Sequence, residues 1–136
     1  MTDPITGFLG IMRKASALAP GEDQATDAVM RGKARLLILA SDIGERQEER
    51  AERMLEGHSA QKLKLPLTKA ELGNAIGLGQ CAMLAVTDLG FARALMEKLK
   101  ERFPDQYDAE AEELEKRFQK IEHRKTAKPG SRFKKR

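Results

Sequence analysis

Two uninterrupted apolar runs limit what this chain can become. Leu36-Leu37-Ile38-Leu39-Ala40 and Cys81-Ala82-Met83-Leu84-Ala85-Val86 are short, and neither alternates apolar with polar residues. Runs of that kind suit strands covered on both faces. A third segment, Lys62 to Leu67, places Leu63, Leu65 and Leu67 against Lys62, Lys64 and Pro66, the period-two pattern of a half-covered strand. Helical patterns lie between these strands. Pro4 after Asp3 opens a helix whose apolar face, Ile5, Phe8, Leu9 and Met12, runs to about Leu18. Ala19-Pro20-Gly21 breaks it, and Glu22 to Met30 forms a second helix with acids at its positive N-terminal end.

Further helix starts follow the strands. Asp42-Ile43-Gly44-Glu45 has the spacing of a capping box for a charged helix reaching about Glu56, and Thr68-Lys69-Ala70-Glu71 repeats it for a helix ending near Gly77. After Thr87-Asp88, Phe91, Leu95 and Leu99 recur at helical spacing. Helices alternating with three strands predict an α/β class fold: a three-layer α/β/α sandwich around a small mixed sheet. A fourth strand would have to come from a segment with loop character.

The chain divides by composition near Phe103-Pro104. Residues 1–103 form the expected globular domain. Residues 104–136 form a charged extension: a helix from Asp108 to about Lys125, with Leu114, Phe118 and Ile121 on one stripe, then a basic tail expected to be disordered. Of 25 basic residues, 7 fall in residues 124–136, where there is no acid; residues 1–123 keep 18 against 21 acidic, a net of −3. The alkaline isoelectric point therefore belongs to the tail, and electrostatic arguments must treat tail and body separately.

Function classes narrow quickly. No apolar run approaches the roughly 20 residues that span a bilayer, so no membrane role is expected. The acidic start Met1-Thr2-Asp3-Pro4 is unlike a signal peptide, and a single cysteine suits a reducing, cytoplasmic setting. Asp42 and Asp88 each follow a strand, where α/β enzymes place ligands, and two acids there could hold Mg²⁺; the competing reading, that each caps the next helix, is preferred. His58 and His123 stand apart from any ligand partners, and Cys81 has no base nearby in sequence. No catalytic constellation, metal site or cofactor is expected.

Two glycine-bearing segments can meet nucleic acid by physical means. Gly21 frees a helix N-terminus whose unpaired N–H groups and partial positive charge suit phosphate or base edges, with Glu22, Asp23 and Gln24 in its first turn. Gly73, Gly77 and Gly79 would let a second loop lie close to RNA, with Asn74 as a polar contact and Ile76 and Leu78 as apolar contacts for splayed bases.

The order of these segments resembles the kink-turn-binding ribosomal protein family. The shared pattern is Gly21, Asp23 and Gln24 opening the second helix, Arg31-Gly32 closing it, and Leu72, Gly73, Ala75, Gly77 and Leu78 in the later loop. The resemblance spans about residues 5 to 101. Leu84 to Ala92, with Gly21-Glu22-Asp23, is most similar to the small bacterial YlxQ-type branch. It implies a non-enzymatic, ribosome-associated protein that binds structured RNA, ribosomal RNA foremost, as a monomer, through residues 21–24 and 73–79. A ribosomal or regulatory protein partner is the alternative, since some relatives act as adaptors. Three departures stand where strong binders usually carry cations: Asp27, Asn74 and Gln80. They imply weakened binding with a shallow salt dependence.

Overall fold

The computed structural model describes residues 4–127, with side chains to residue 120. The proposed cap Asp3, the stripe residue Ile121 and the whole basic tail lie outside the described side chains. In chain order the elements are α1 Pro4–Lys14, β1 Leu18–Pro20, α2 Glu22–Met30, β2 Leu36–Leu39, α3 Glu45–Leu55, β3 Gln61–Lys64, α4 Lys69–Ala75, β4 Met83–Val86, α5 Leu89–Arg102 and α6 Asp108–Ala127. The strands form one mixed sheet in the order β1-β4-β2-β3, with β4 antiparallel to both neighbours and β2 parallel to β3.

The two apolar runs do become fully buried strands, because the sheet is covered on both faces. Leu36, Ile38, Leu84 and Val86 point into a core shared with Ile5, Leu9, Leu72, Leu95 and Leu99 of α1, α4 and α5. Leu37, Leu39, Met83 and Ala85 point the other way, onto Ala25, Val29, Ala51 and Met54 of α2 and α3. Successive strand residues serve opposite cores, which gives the expected three layers.

The fourth strand comes from the segment with loop character. α1 stops at Lys14 rather than near Leu18, and Leu18–Pro20 pairs with β4 as an edge strand. Ser16, at φ 60, ends the helix in a left-handed turn, with the Ala17 N–H on the Met12 carbonyl (3.0 Å) and the Ser16 N–H on the Arg13 carbonyl (3.1 Å). This is a Schellman ending built without glycine, so no glycine marks it in the sequence. Pro20 is tolerated in β1 because an edge strand has one unpaired side.

A second difference concerns Asp42. The Asp42–Glu45 capping box does not form: α3 begins at Glu45 with Gly44 at its N-cap and no side-chain cap, and Asp42 Oδ1 instead accepts the Lys69 N–H of α4 at 2.7 Å. The other two helix starts form as expected. Thr68 and Glu71 make a reciprocal capping box, and Asp88 accepts the Phe91 N–H.

α6 packs along β3 and α5. Tyr107, Ala111, Leu114 and Phe118 enter the same core as α1, α4 and α5, and the Arg93 guanidinium of α5 lies over the Phe118 ring at 4.8 Å. Polar contacts fix the helix against β3: Tyr107 donates to the Lys64 carbonyl, Gln61 Nε2 to the Glu110 carbonyl and Arg117 to the Ser59 carbonyl.

Candidate nucleic-acid interface

Sheet topology decides what residues 21–24 can meet. Since β1 and β4 are antiparallel, the end of β1 lies beside the start of β4, with Pro20 opposite Leu84. The N-terminus of α2 and the 76–82 segment therefore converge at one end of the sheet. The Gly21 N–H joins them directly, donating to the Met83 carbonyl at 2.9 Å. Cys81 sits between: its buried Sγ donates to the Met83 carbonyl at 3.1 Å. Burial pushes the Cys81 thiol up, opposed by the Gly21 N–H beside it.

Gly21 precedes α2 with φ 88 and ψ 158 and provides no side-chain cap. That backbone region is essentially confined to glycine, while the space around a Cβ there is open. The requirement is thus conformational, and it leaves the first N–H groups of α2 facing outward. Asp23 and Gln24 are exposed beside them. Glu22 is not free. Arg50 of α3 grips its carboxylate with Nε at 2.8 Å and Nη2 at 3.0 Å, and Gln47 Nε2 adds a bond at 3.2 Å. The Arg50 hydrogen bonds hold the Glu22 carboxyl below its usual range against the opposing effect of burial, and Glu22 in turn raises Arg50. Arg50 and Gln47 carry no signal in the sequence beyond belonging to a charged helix; only their position beside α2 marks them.

The second segment is a helix ending. Gly77, at φ 80, terminates α4 with the Leu78 N–H on the Gly73 carbonyl (2.8 Å) and the Gly77 N–H on the Asn74 carbonyl (3.3 Å). This Schellman turn sends Leu78 outward, 40% exposed, with Asn74 and Gly79 also exposed. Ile76 turns inward and is 4% exposed within the main core, so its side chain supports the loop from below. Gly73 is buried too. A Cβ there would stand 2.7 Å from Gln80 Cα, so this glycine makes room for the chain's own loop crossing over α4.

Asp27 faces solvent from α2, paired with Arg31 at 2.9 Å. The paired-acid alternative for a metal fails on topology. Asp42 follows β2 and Asp88 follows β4, and because those strands are antiparallel the two acids lie at opposite ends of the sheet. Among the described residues no group of three His, Cys, Asp or Glu could hold a metal ion, and no helix is long and apolar enough to cross a membrane.

A mixed four-stranded sheet between helical layers, with a glycine-led helix and a glycine turn meeting at one end, defines a three-layer α/β/α protein. The chain belongs to the ribosomal protein L7Ae/L30e/S12e/Gadd45 family, whose pattern matches residues 5–96. Among solved structures, it is similar to a Bacillus halodurans protein of unknown function, at 27% identity and TM-score 0.66, covering 73% of this chain and 99% of that one. A Giardia lamblia 15.5 kD RNA-binding protein shares the fold at 17% identity and TM-score 0.58, covering 74% of this chain and 89% of that one. α6 lies beyond the family match.

Proposed function

We propose that this protein is a non-enzymatic RNA-binding protein, ribosome-associated and of the bacterial YlxQ type, that takes structured RNA on the edge formed by the α2 N-terminus and the 76–80 loop. The observation that carries this reading is the convergence of the two segments through the Gly21–Met83 hydrogen bond. It leaves unsatisfied N–H donors, the Asp23 and Gln24 side chains, and the exposed Leu78 side chain on one surface. Such a surface can meet a phosphate, a base edge and an unstacked base within one contact. Family membership and the RNA-binding relative of the same fold support it.

The charge on that edge favours modest affinity. Asp23, Asp42 and Glu22, which is already paired with Arg50, lie at that end of the sheet, and Asp27 adds an acid one turn into α2. Phosphate contacts are therefore few, and binding relies on hydrogen bonds and stacking more than on counterion release. The test is crosslinking of the protein to RNA in cells, with peptide mapping. Crosslinks within residues 21–24 and 73–80 on ribosomal RNA support the reading. Crosslinks confined to the tail, or their survival in Gln24→Ala and Leu78→Ala, would remove it.

A further inference from the structure

Residues 73–80 carry no charged side chain. Packing brings charge to them from α1. α1 and α4 lie side by side and run in the same sense. Ile5 borders a cleft with Leu67 and Glu71, at the start of α4, whereas Gly10 borders one with Asn74 and Ala75, near its end. At Gly10 the two helices nearly touch: a Cβ there would stand 3.3 Å from the Ala75 carbonyl oxygen. Arg13 and Lys14 follow Gly10 at i+3 and i+4, so they continue the face that it presents to α4. They lie about 5 Å further along the axis, where α4 has given way to Gly77 and Leu78. α1 therefore ends with two cations beside the exposed loop. The Cys81 thiol reports the same proximity: burial pushes it up most strongly, yet the Arg13 guanidinium is close enough to favour its thiolate.

We propose that the last turn of α1 belongs to the RNA-binding edge, and that Arg13, with Lys14 beside it, holds a backbone phosphate of the RNA seated on the 76–80 loop. The contact presupposes the loop edge proposed above and gives it a phosphate partner. Both side chains are exposed, and neither pairs with an acid among the described residues. No acid lies in α1 from Pro4 to Lys14, and on the facing helix Glu71 is engaged in its capping box with Thr68. α1 and α2 cover opposite faces of the sheet, so the loop edge has a cationic flank at Arg13 and Lys14 and an acidic one at Asp23. That polarity turns the RNA backbone toward α1. A nucleotide whose base has left the stack fits the pair: the exposed Leu78 side chain meets the base, and the guanidinium meets the phosphate. Arginine suits the second task because its planar fork matches two phosphate oxygens and stays charged. Cations in the last turn of a helix also favour its dipole. That role needs no ligand, and salt separates the two, because only a phosphate contact releases counterions on binding.

The full chain, a variant carrying Arg13→Gln and Lys14→Gln together, and Arg53→Gln are titrated with an RNA hairpin bearing an asymmetric internal loop, across a salt series. Arg53 is exposed in the last turn of α3 and controls for loss of positive charge in general. The double variant should bind at least about fivefold more weakly at about 0.1 M salt, and its slope of log K against log salt should flatten by at least about 0.7, the share of one phosphate. Arg53→Gln should keep both within error. Arg13→Lys should keep the slope but bind more weakly, because the charge remains and the fork is lost. A wild-type slope in the double variant would overturn the phosphate contact, and a lowered thermal midpoint beside it would leave Arg13 and Lys14 as helix-end cations alone. Equal losses in the double variant and Arg53→Gln would overturn it too, as general attraction. Gln24→Ala and Leu78→Ala, measured alongside, keep the two readings apart. Weakening in those two with an unmoved double variant sinks only the α1 contact, whereas weakening confined to the double variant sinks the loop edge and the shared surface with it. No binding by the full chain at low salt would remove both.

Discussion

Gly73→Ala isolates the joint on which the loop edge depends. The added Cβ would lie 2.7 Å from Gln80 Cα, 2.8 Å from its N and 2.9 Å from its C, where ordinary contact begins at 3.4 Å. Gln80 would have to retreat by about 0.5–0.7 Å, and its atoms are backbone, so no rotamer change relieves the contact. The loop is pinned on both sides, by the Leu78 N–H on the Gly73 carbonyl and the Cys81 N–H on the Lys69 carbonyl. Three simultaneous backbone clashes belong in the upper part of the usual overpacking cost, about 2–3 kcal/mol. Alanine recovers about 1 kcal/mol by its better helix propensity within α4. The net loss is about 1–2 kcal/mol, a fall of about 3–10 °C in thermal midpoint for a chain of this size. Gly79→Ala is the control, since nothing lies within 4 Å of a Cβ there. Thermal unfolding and amide NMR shifts of residues 78–81 give the readout, with RNA affinity measured in parallel. An unchanged midpoint with unmoved Leu78–Cys81 amides in Gly73→Ala would refute the crossing of the loop over α4. A displaced loop with full RNA affinity would instead detach the loop from function.

Other perturbations probe the neighbouring elements. Asp27→Lys removes an exposed pair with Arg31, which contributes little to stability, and should tighten RNA binding while steepening the salt slope by at most about 0.9; an unchanged slope would mean that residue 27 does not face RNA. Arg50→Ala should raise the Glu22 titration midpoint toward the ordinary 4.5, read by NMR, because the Arg50 hydrogen bonds are the chief cause of its depression. A depressed folded-state pKa stabilises above the unfolded value and is lost as pH falls through the folded one, so the small stability gap between wild type and variant should be present at neutral pH and close as pH falls through the depressed Glu22 pKa. Phe118→Ala should cost about 3–5 kcal/mol in chemical unfolding, since the ring is 1% exposed in the main core; a loss below about 1 kcal/mol would show that 104–127 behaves as an appendage to the family domain rather than as part of its core.

The legible parts of this fold were those that local chemistry fixes. An apolar run bounded by turns has few fates, so β2 and β4 could be read directly, and Thr68 with Glu71 forms its box because both partners lie within one turn. The Asp42 box failed because the same carboxylate had a competing donor, the Lys69 N–H, brought in by a chain 27 residues away. β1 was hidden for a related reason. Three residues ending in proline have no strand signature, yet β4 supplies the pairing that makes them one. The site inherits this division. Residues 21–24 and 73–79 could be singled out by type, and family resemblance joined them, but their meeting follows from β1 lying antiparallel to β4. The glycines show the limit most clearly. By composition, Gly73 and Gly79 both offer a smooth surface for a ligand to approach. Gly79 is open, whereas Gly73 is occupied by Gln80. A glycine in the sequence says that something comes close; only the fold says whether it is a partner or the chain itself, and hence whether its substitution would report on binding or on the scaffold beneath it.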